Sequence, residues 1–384
     1  MRGRLALAAA IFLASGVVWL LVLGAGSTDA ARGHHQRVRV PPSFLGVIAG
    51  PTPFDSTDAG QVAGIGVRTM RVGVNWSLVQ PRPGPFNWDG SDAMIARLAA
   101  RGIGTLPTLG STPSWVADKG TTAPVFNQAA MDGWRSFVTA AVRRYRPGGT
   151  FWAADSGGSS PFHTQCGCNA QPVPIQAWQI WNEPNLKHYF TPRPSPKQYA
   201  KLVTLSRSAI DQADPNAKLV LAGLSGGEGK PGDIDAASYL KGLYRIHGIK
   251  RSFDVTAFHP YAHSIGDMRT KISRFRKVMK SKRDARTPLW LTEIGWGSRP
   301  PDQFGVNKGI QGQKRMLQRS TKLLLRKHRA WRLQREYWFF WRDPQKTDRR
   351  LPCSFCDSSG LLKHDRRPKP AYRVFSRYAH AQRG

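Results

Sequence analysis

From about residue 40 onward, short apolar runs rich in β-branched and aromatic residues alternate with longer stretches that repeat apolar positions at helical spacing. The short runs are 44–47, 69–74, 104–109, 177–181, 218–222, 255–258, 289–292 and 337–341, eight in all. Helical patterns lie between them at 91–101, 128–146, 196–213, 238–247, 267–281 and 311–328, and a last one at 370–381 closes the chain. Runs such as Thr256-Ala257-Phe258 and Trp290-Leu291 are continuously apolar, as expected of parallel strands covered on both faces. Eight strand–helix units predict a single (β/α)8 TIM barrel. The alternative is an open doubly wound sheet, but it lacks a phosphate loop. Gly64-Ile65-Gly66 precedes the second run and has no third glycine.

Two segments interrupt the period. Residues 148–174 are polar, Gly/Ser-rich and carry two cysteines, and residues 343–360 follow the eighth run and carry two more. The chain starts Met1-Arg2-Gly3-Arg4 and continues apolar from Leu5 to about Gly26. Two arginines before such a stretch describe an export signal or, since the stretch is long enough to span a bilayer, a membrane anchor. The expected organisation is therefore a signal peptide or anchor over 1–30, a short basic linker over 31–39, and a catalytic barrel over 40–384. A secreted or cell-surface location follows.

Charge adds a second theme. The net charge is +33, and residues 263–350 hold 24 Lys and Arg against 7 Asp and Glu, a balance of +17. Such an excess attracts anionic surfaces such as cell-wall polymer, acidic glycan or lipid headgroups, or it forms a solvated basic face on outer helices. No nucleic-acid-binding module accompanies it, so a nucleic-acid partner is not expected.

Cys166, Cys168, Cys353 and Cys356 form two close pairs. In an exported chain such spacing favours disulfides, with zinc as the alternative. On the barrel reading one pair enters a strand and the other leaves one. The pairs then occupy opposite faces, which favours two local bridges.

The candidate chemistry lies in the acids. Only four of the 24 acidic residues are Glu, and two of these end apolar, Trp-containing runs. Glu183 stands in Ile180-Trp181-Asn182-Glu183-Pro184-Asn185, and Glu293 in Leu289-Trp290-Leu291-Thr292-Glu293-Ile294-Gly295-Trp296. They are 110 residues apart, three strand–helix units, which places them on the fourth and seventh strands. In a parallel barrel the reacting groups sit at strand C-termini, so both point to one mouth. Paired carboxylates framed by aromatics suit glycosidic bond cleavage. A surface ion pair in a basic chain does not explain their shared position.

Trp181-Asn182-Glu183-Pro184-Asn185 on a fourth strand, Trp290-Leu291-Thr292-Glu293 on a seventh, His259-Pro260-Tyr261 on a sixth and Trp341 on an eighth resemble glycoside hydrolase clan A, the retaining (β/α)8 glycosidases. The resemblance runs from about residue 40 to the C-terminus. It implies Glu183 as acid/base, Glu293 as nucleophile, and Asn182 as a partner of the sugar 2-hydroxyl. It implies Arg71 beside the nucleophile, Tyr261 and His259 as strand-six polar contacts, and Trp341 as the platform beneath the cleaved sugar. Trp76, Trp115 and Trp296 are further candidate platforms in strand-following loops. No metal or cofactor is implied. Leu106-Pro107-Thr108-Leu109 lacks the strand-three His of many family 5 cellulases, while Thr112-Pro113-Ser114-Trp115 is more similar to family 39. The expected activity is hydrolysis of a β-linked poly- or oligosaccharide. A transglycosylase with the same residues and a non-catalytic carbohydrate-binding barrel are the rival readings.

Overall fold

Runs of Val, Ile, Leu, Phe and Trp bounded by Gly, Pro and polar turns pair into one sheet because both faces of each strand are covered. In the computed structural model, which describes residues 39–154, 158–227, 229–303, 305–345 and 353–383, the strands are β1 (Leu45–Ile48), β2 (Thr69–Asn75), β3 (Gly104–Gly110), β4 (Ala177–Ile180), β5 (Lys218–Ser225), β6 (Val255–His259), β7 (Leu289–Ile294) and β8 (Leu333–Trp338). Each strand pairs in parallel with the next, and β8 returns to β1 through Leu45↔Glu336, so the barrel closes. Closure excludes the open sheet. The proposed leader over 1–30 and nearly all of the linker lie outside the described residues. Among the described residues, no helix is long and apolar enough to cross a membrane.

The surrounding helices are α1 (Ser56–Gly64), α2 (Trp76–Val79), α3 (Asp89–Ala99), α4 (Gln128–Tyr145), α5 (Pro161–Cys166), α6 (Pro196–Ala213), α7 (Ala236–Leu243), α8 (Ile265–Ser281), α9 (Gly309–Trp331) and α10 (Pro370–His380). Side-chain caps start several of them. Asn127 accepts from Ala130 N at the head of α4, Ser195 from Gln198 N before Pro196 of α6, and Ser264 from Asp267 N before α8. Three helices escape the periodicity reading: α1, α2 and α5. The first had a legible signal, since Asp55 and Asp58 form a reciprocal capping box.

The eighth strand is displaced from its expected position. The apolar run 337–341 suggests a strand, but β8 begins at Leu333 and ends at Trp338. Gln334, Arg335 and Glu336 disguised its start, and each has a tertiary partner. Arg335 lays its guanidinium 4.4 Å over the Trp290 ring at the barrel floor, beside the Thr69–Tyr337 hydroxyl pair at 2.9 Å. Glu336 faces outward under α9 and accepts from Thr321 at 3.3 Å; burial pushes its carboxyl up to about 8. Phe339 and Phe340 continue past the strand into the mouth of the barrel.

The cysteines form two local bridges, Cys166–Cys168 and Cys353–Cys356, with Cα–Cα distances of 5.2 and 5.4 Å. The first closes the C-terminus of α5 before β4. The second sits in the loop after β8 and holds Phe355 against Tyr261, with ring centroids 5.0 Å apart.

Candidate active site

The loop after β4 is built to turn one carboxylate inward. Trp181 and Glu183 both adopt left-handed backbone, with φ of 72° and 41°, at a strain of about 1–3 kcal/mol each for non-glycine residues. Hydrogen bonds hold that shape. Trp181 N donates to Leu109 O at 2.8 Å and Glu183 N to Gly223 O at 3.2 Å. Asn185 anchors the following loop, accepting from Ser225 N at 2.9 Å and donating to Ser225 O and Ile234 O. The asparagine two residues past the acid therefore has a structural duty.

Glu293 comes from inside β7 and meets a different set of neighbours. Arg71 Nη1 donates to it at 2.7 Å and the Tyr261 hydroxyl at 2.6 Å. Arg71 also donates from Nε to Gln179 Oε1 at 2.6 Å and from Nη2 to Asn182 Oδ1 at 2.9 Å. One guanidinium thus orients residues of β4, its loop and β7. Between the acids lies His259, whose Nδ1 is 2.9 Å from Glu183 Oε1 and 3.5 Å from Glu293 Oε2. Its Nε2 meets Thr292 Oγ1 at 2.9 Å. One oxygen of Glu183, one of Glu293 and a ring nitrogen of His259 all lie within 4.8 Å of one another.

The two carboxyls experience opposite pulls. Burial dominates at Glu183 and raises it above the ordinary carboxylate range, with the Glu293 charge adding to the rise against the His259 contact. Burial would raise Glu293 too, but His259, Arg71 and the Tyr261 hydroxyl outweigh it and hold it below that range. The neutral form is thus favoured at one group and the ionised form at the other. Among the described residues this trio is also the set that an ion could bridge. Each oxygen of Glu293 already accepts one hydrogen bond, Oε1 from Arg71 and Oε2 from Tyr261.

Both carboxylates open into a cavity of about 2190 Å³, also lined by Arg71, Asn182 and Tyr261. The remaining expected contacts are corrected by burial. His259 is fully buried, with both nitrogens engaged behind the carboxylates, so it positions them and does not face substrate. Trp341 is fully buried outside the cavity and donates to Asp58 Oδ1 at 3.1 Å. The strand ends three residues before it, so Phe339 and Phe340 line the mouth in its place. Trp76 is buried against Phe137 and Trp134, and Trp296 is buried with its Nε1 on Ala262 O at 2.8 Å. Trp115 is 40% exposed but lies edge-on to Trp76 and off the cavity wall. Trp76, Trp296 and Trp341 are packing residues, as large aromatics in a core commonly are.

Sequence reasoning missed Gln179, Thr292, Gly223 and Tyr189. Gln179 and Thr292 are polar residues inside apolar strands, a signal that was available; Gln179 Nε2 donates to Thr292 Oγ1 at 3.1 Å. Tyr189 lines the cavity, and burial followed by the charges of Glu183 and Glu293 pushes its phenol up.

A closed eight-stranded parallel barrel carrying two buried carboxylates at its C-terminal mouth, one pushed up and the other held down, is the class of barrel found in glycosidases. The chain belongs to the glycosyl hydrolase catalytic core family, whose model matches residues 151–363, and so to the hydrolases of O-glycosyl bonds. Among solved structures it is similar to a family 39 glycoside hydrolase from Bacteroides cellulosilyticus, at 19% identity and a TM-score of 0.62 over 88% of this chain and 64% of that one. It is similar to a monomeric β-xylosidase from Caulobacter crescentus, at 18% identity and 0.62 over 89% of this chain and 69% of that one. It is also similar to a GH5_18 enzyme from Bifidobacterium longum solved with Manβ1-4GlcNAc, at 16% identity and 0.62 over 89% and 78%. At these identities the shared property is the fold. No curated protein matches the chain.

Proposed function

We propose that this protein is a retaining β-glycosidase acting on a β-linked oligo- or polysaccharide by double displacement. The observation that carries this reading is the pair Glu183 and Glu293, with oxygens within 4.8 Å and environments that drive their protonation apart. Retaining chemistry needs carboxyls about 5–5.5 Å apart, whereas inverting chemistry needs room for a water between them. Glu293 attacks the anomeric carbon as Glu183 gives its proton to the departing oxygen, forming a glycosyl ester on Glu293. Glu183 then takes a proton from water, which displaces Glu293 and releases the sugar with its configuration retained. Asn182, fixed by Arg71, is placed to meet the sugar 2-hydroxyl. Incubation with an activated 2-fluoro glycoside, followed by peptide mass analysis, should find the label on Glu293. A label on any other residue overturns the assignment.

Export to the cell surface is part of the same proposal. Arg2 and Arg4 before an apolar stretch support it, as do the two disulfides, which persist in oxidising compartments. On α9 the exposed cations Arg315, Arg319, Lys322, Arg326 and Arg329 recur at four- and three-residue spacing, with no acid in the helix, a stripe suited to an anionic wall or membrane surface. In fractionated cells, the protein should appear outside the cytosol and leave the surface as ionic strength rises. Recovery in the cytosol would overturn export, and release insensitive to salt would overturn the electrostatic attachment.

A further inference from the structure

Among the described residues that line the active-site cavity, charge is distributed unevenly. The wall formed by the loops after β1, β2 and β8 presents Leu78, Met94 and Phe340, and its exposed ionisable group among the described residues is Asp89. The opposite wall, formed by the loops after β3, β4 and β5, presents Lys119, Lys187 and Lys230, all exposed.

Two of these lysines come from loops that a single carboxylate ties together. Asp233 accepts from Lys187 N through Oδ1 at 2.7 Å and from Lys230 N through Oδ2 at 2.7 Å. This carboxylate therefore binds backbone amides, and it pins the β4 and β5 loops together with both side chains on one wall of the cavity. The stem of Lys187 lies along Gly232, where an added Cβ would stand 3.3 Å from Lys187 Cδ and where φ is +93°. Among the described residues, no hydrogen bond or ion pair involves the ammonium of Lys119, Lys187 or Lys230. Lys271, in contrast, pairs with Asp267 at 3.0 Å and donates to Tyr261 O at 2.9 Å.

Ammonium groups gathered on one wall repel, and an anion bound at that wall relieves the repulsion while forming charge-assisted hydrogen bonds. Lys187 follows Glu183 by four residues in the same loop, so such an anion would belong to the saccharide already in the cleft. The anionic group native to a pyranose ring is the uronate carboxylate.

We infer that the substrate is an acidic glycan whose uronate carboxylates are bound by Lys187 and Lys230, with Lys119 further along the same wall. This rests on the glycosidase reading and adds the substrate class to it. The charged rim also draws polyanionic chains toward the cleft, so capture of substrate is faster at low ionic strength.

The test uses glucuronoxylan oligosaccharides, the same oligosaccharides with carboxyls reduced to alcohols, and sulfated neutral xylooligosaccharides. Turnover is measured with the wild type and binding by calorimetry with Glu293→Gln. The acidic chains are expected to exceed their reduced counterparts by roughly tenfold or more in kcat/KM and in affinity. Raising salt should erase the preference, and the Lys187→Met/Lys230→Met double variant should lose most of it. Equal kcat/KM for acidic and reduced chains overturns the inference and leaves the glycosidase reading standing. Absence of turnover on every chain counts against the glycosidase reading, while a charge preference in the binding arm still supports the acidic ligand. A preference for the sulfated chain over the uronate chain overturns the carboxylate assignment.

Discussion

Glu183→Ala is expected to divide substrates by leaving group. A natural glycan needs its departing oxygen protonated, and should lose on the order of a thousandfold in kcat/KM, within the range general acid catalysis supplies. A dinitrophenyl glycoside leaves without that proton, so its first step should proceed at close to the wild-type rate. Its second step then stalls, because no base activates water, and the glycosyl-enzyme accumulates as a burst. Azide, which needs no base, should restore turnover and yield a glycosyl azide of retained configuration. The pH profile supplies a second check. Activity requires Glu293 ionised, hence pH above a value held low by His259, Arg71 and Tyr261. It also requires Glu183 protonated, hence pH below a value raised by burial. The alkaline limb should vanish from kcat/KM for the dinitrophenyl substrate in Glu183→Ala while the acid limb stays. Equal losses on good and poor leaving groups would show that Glu183 is not the proton donor.

Gly223→Ala is the second large effect expected. Gly223 on β5 accepts from Glu183 N, and a Cβ there would stand 1.9 Å from His259 Nε2 and 2.6 Å from Thr292 Oγ1. No rotamer change relieves this, since His259 is held between Thr292 and two carboxylates. The histidine must move, and both acids lose their shared partner. Overpacking of this kind destabilises by about 1–3 kcal/mol; the activity loss should reach about a hundredfold. A role confined to packing would lower stability and leave the alkaline limb in place. Displacement of His259 from Glu183 removes a contact that lowers that acid, so the limb should move to higher pH. Gly60→Ala is the control. An added Cβ at this α1 position meets nothing within 4 Å and should be neutral or slightly stabilising. An unshifted limb in Gly223→Ala would refute the positioning role of His259.

The residues that carry the chemistry were legible where a short-range pattern exposes them. Glu183, Glu293, Asn182 and Tyr261 each sit at or near the C-terminal end of an apolar run, and parallel-strand geometry sends such ends to one mouth; Arg71 is instead the third residue of β2 and joins them through its long side chain. His259 was legible as a strand-six residue but not as a buried bridge. Its burial depends on Gly223, one strand–helix unit away in sequence on β5, leaving space for its ring. The tryptophans failed for a related reason. A hydrophobic ring is equally suited to a sugar face or to a core, and its local sequence does not distinguish them.

What the chain determines by itself is the count and order of its strands and of the longer helices, because apolar periodicity and capping act over a few residues. It also determines that two glutamates share the barrel mouth, since their spacing spans three whole repeat units. The three-dimensional arrangement decided the rest. Polar Gln334, Arg335 and Glu336 became a strand only through partners on β7, β1 and α9, which moved Trp341 out of the site and brought Phe339 and Phe340 in. The opposite pulls on Glu183 and Glu293, and the joining of the Lys187 and Lys230 backbones by Asp233, likewise arise from groups brought together across distant loops. Such long-range proximity has no local signature, because it is set by barrel closure and not by neighbouring residues.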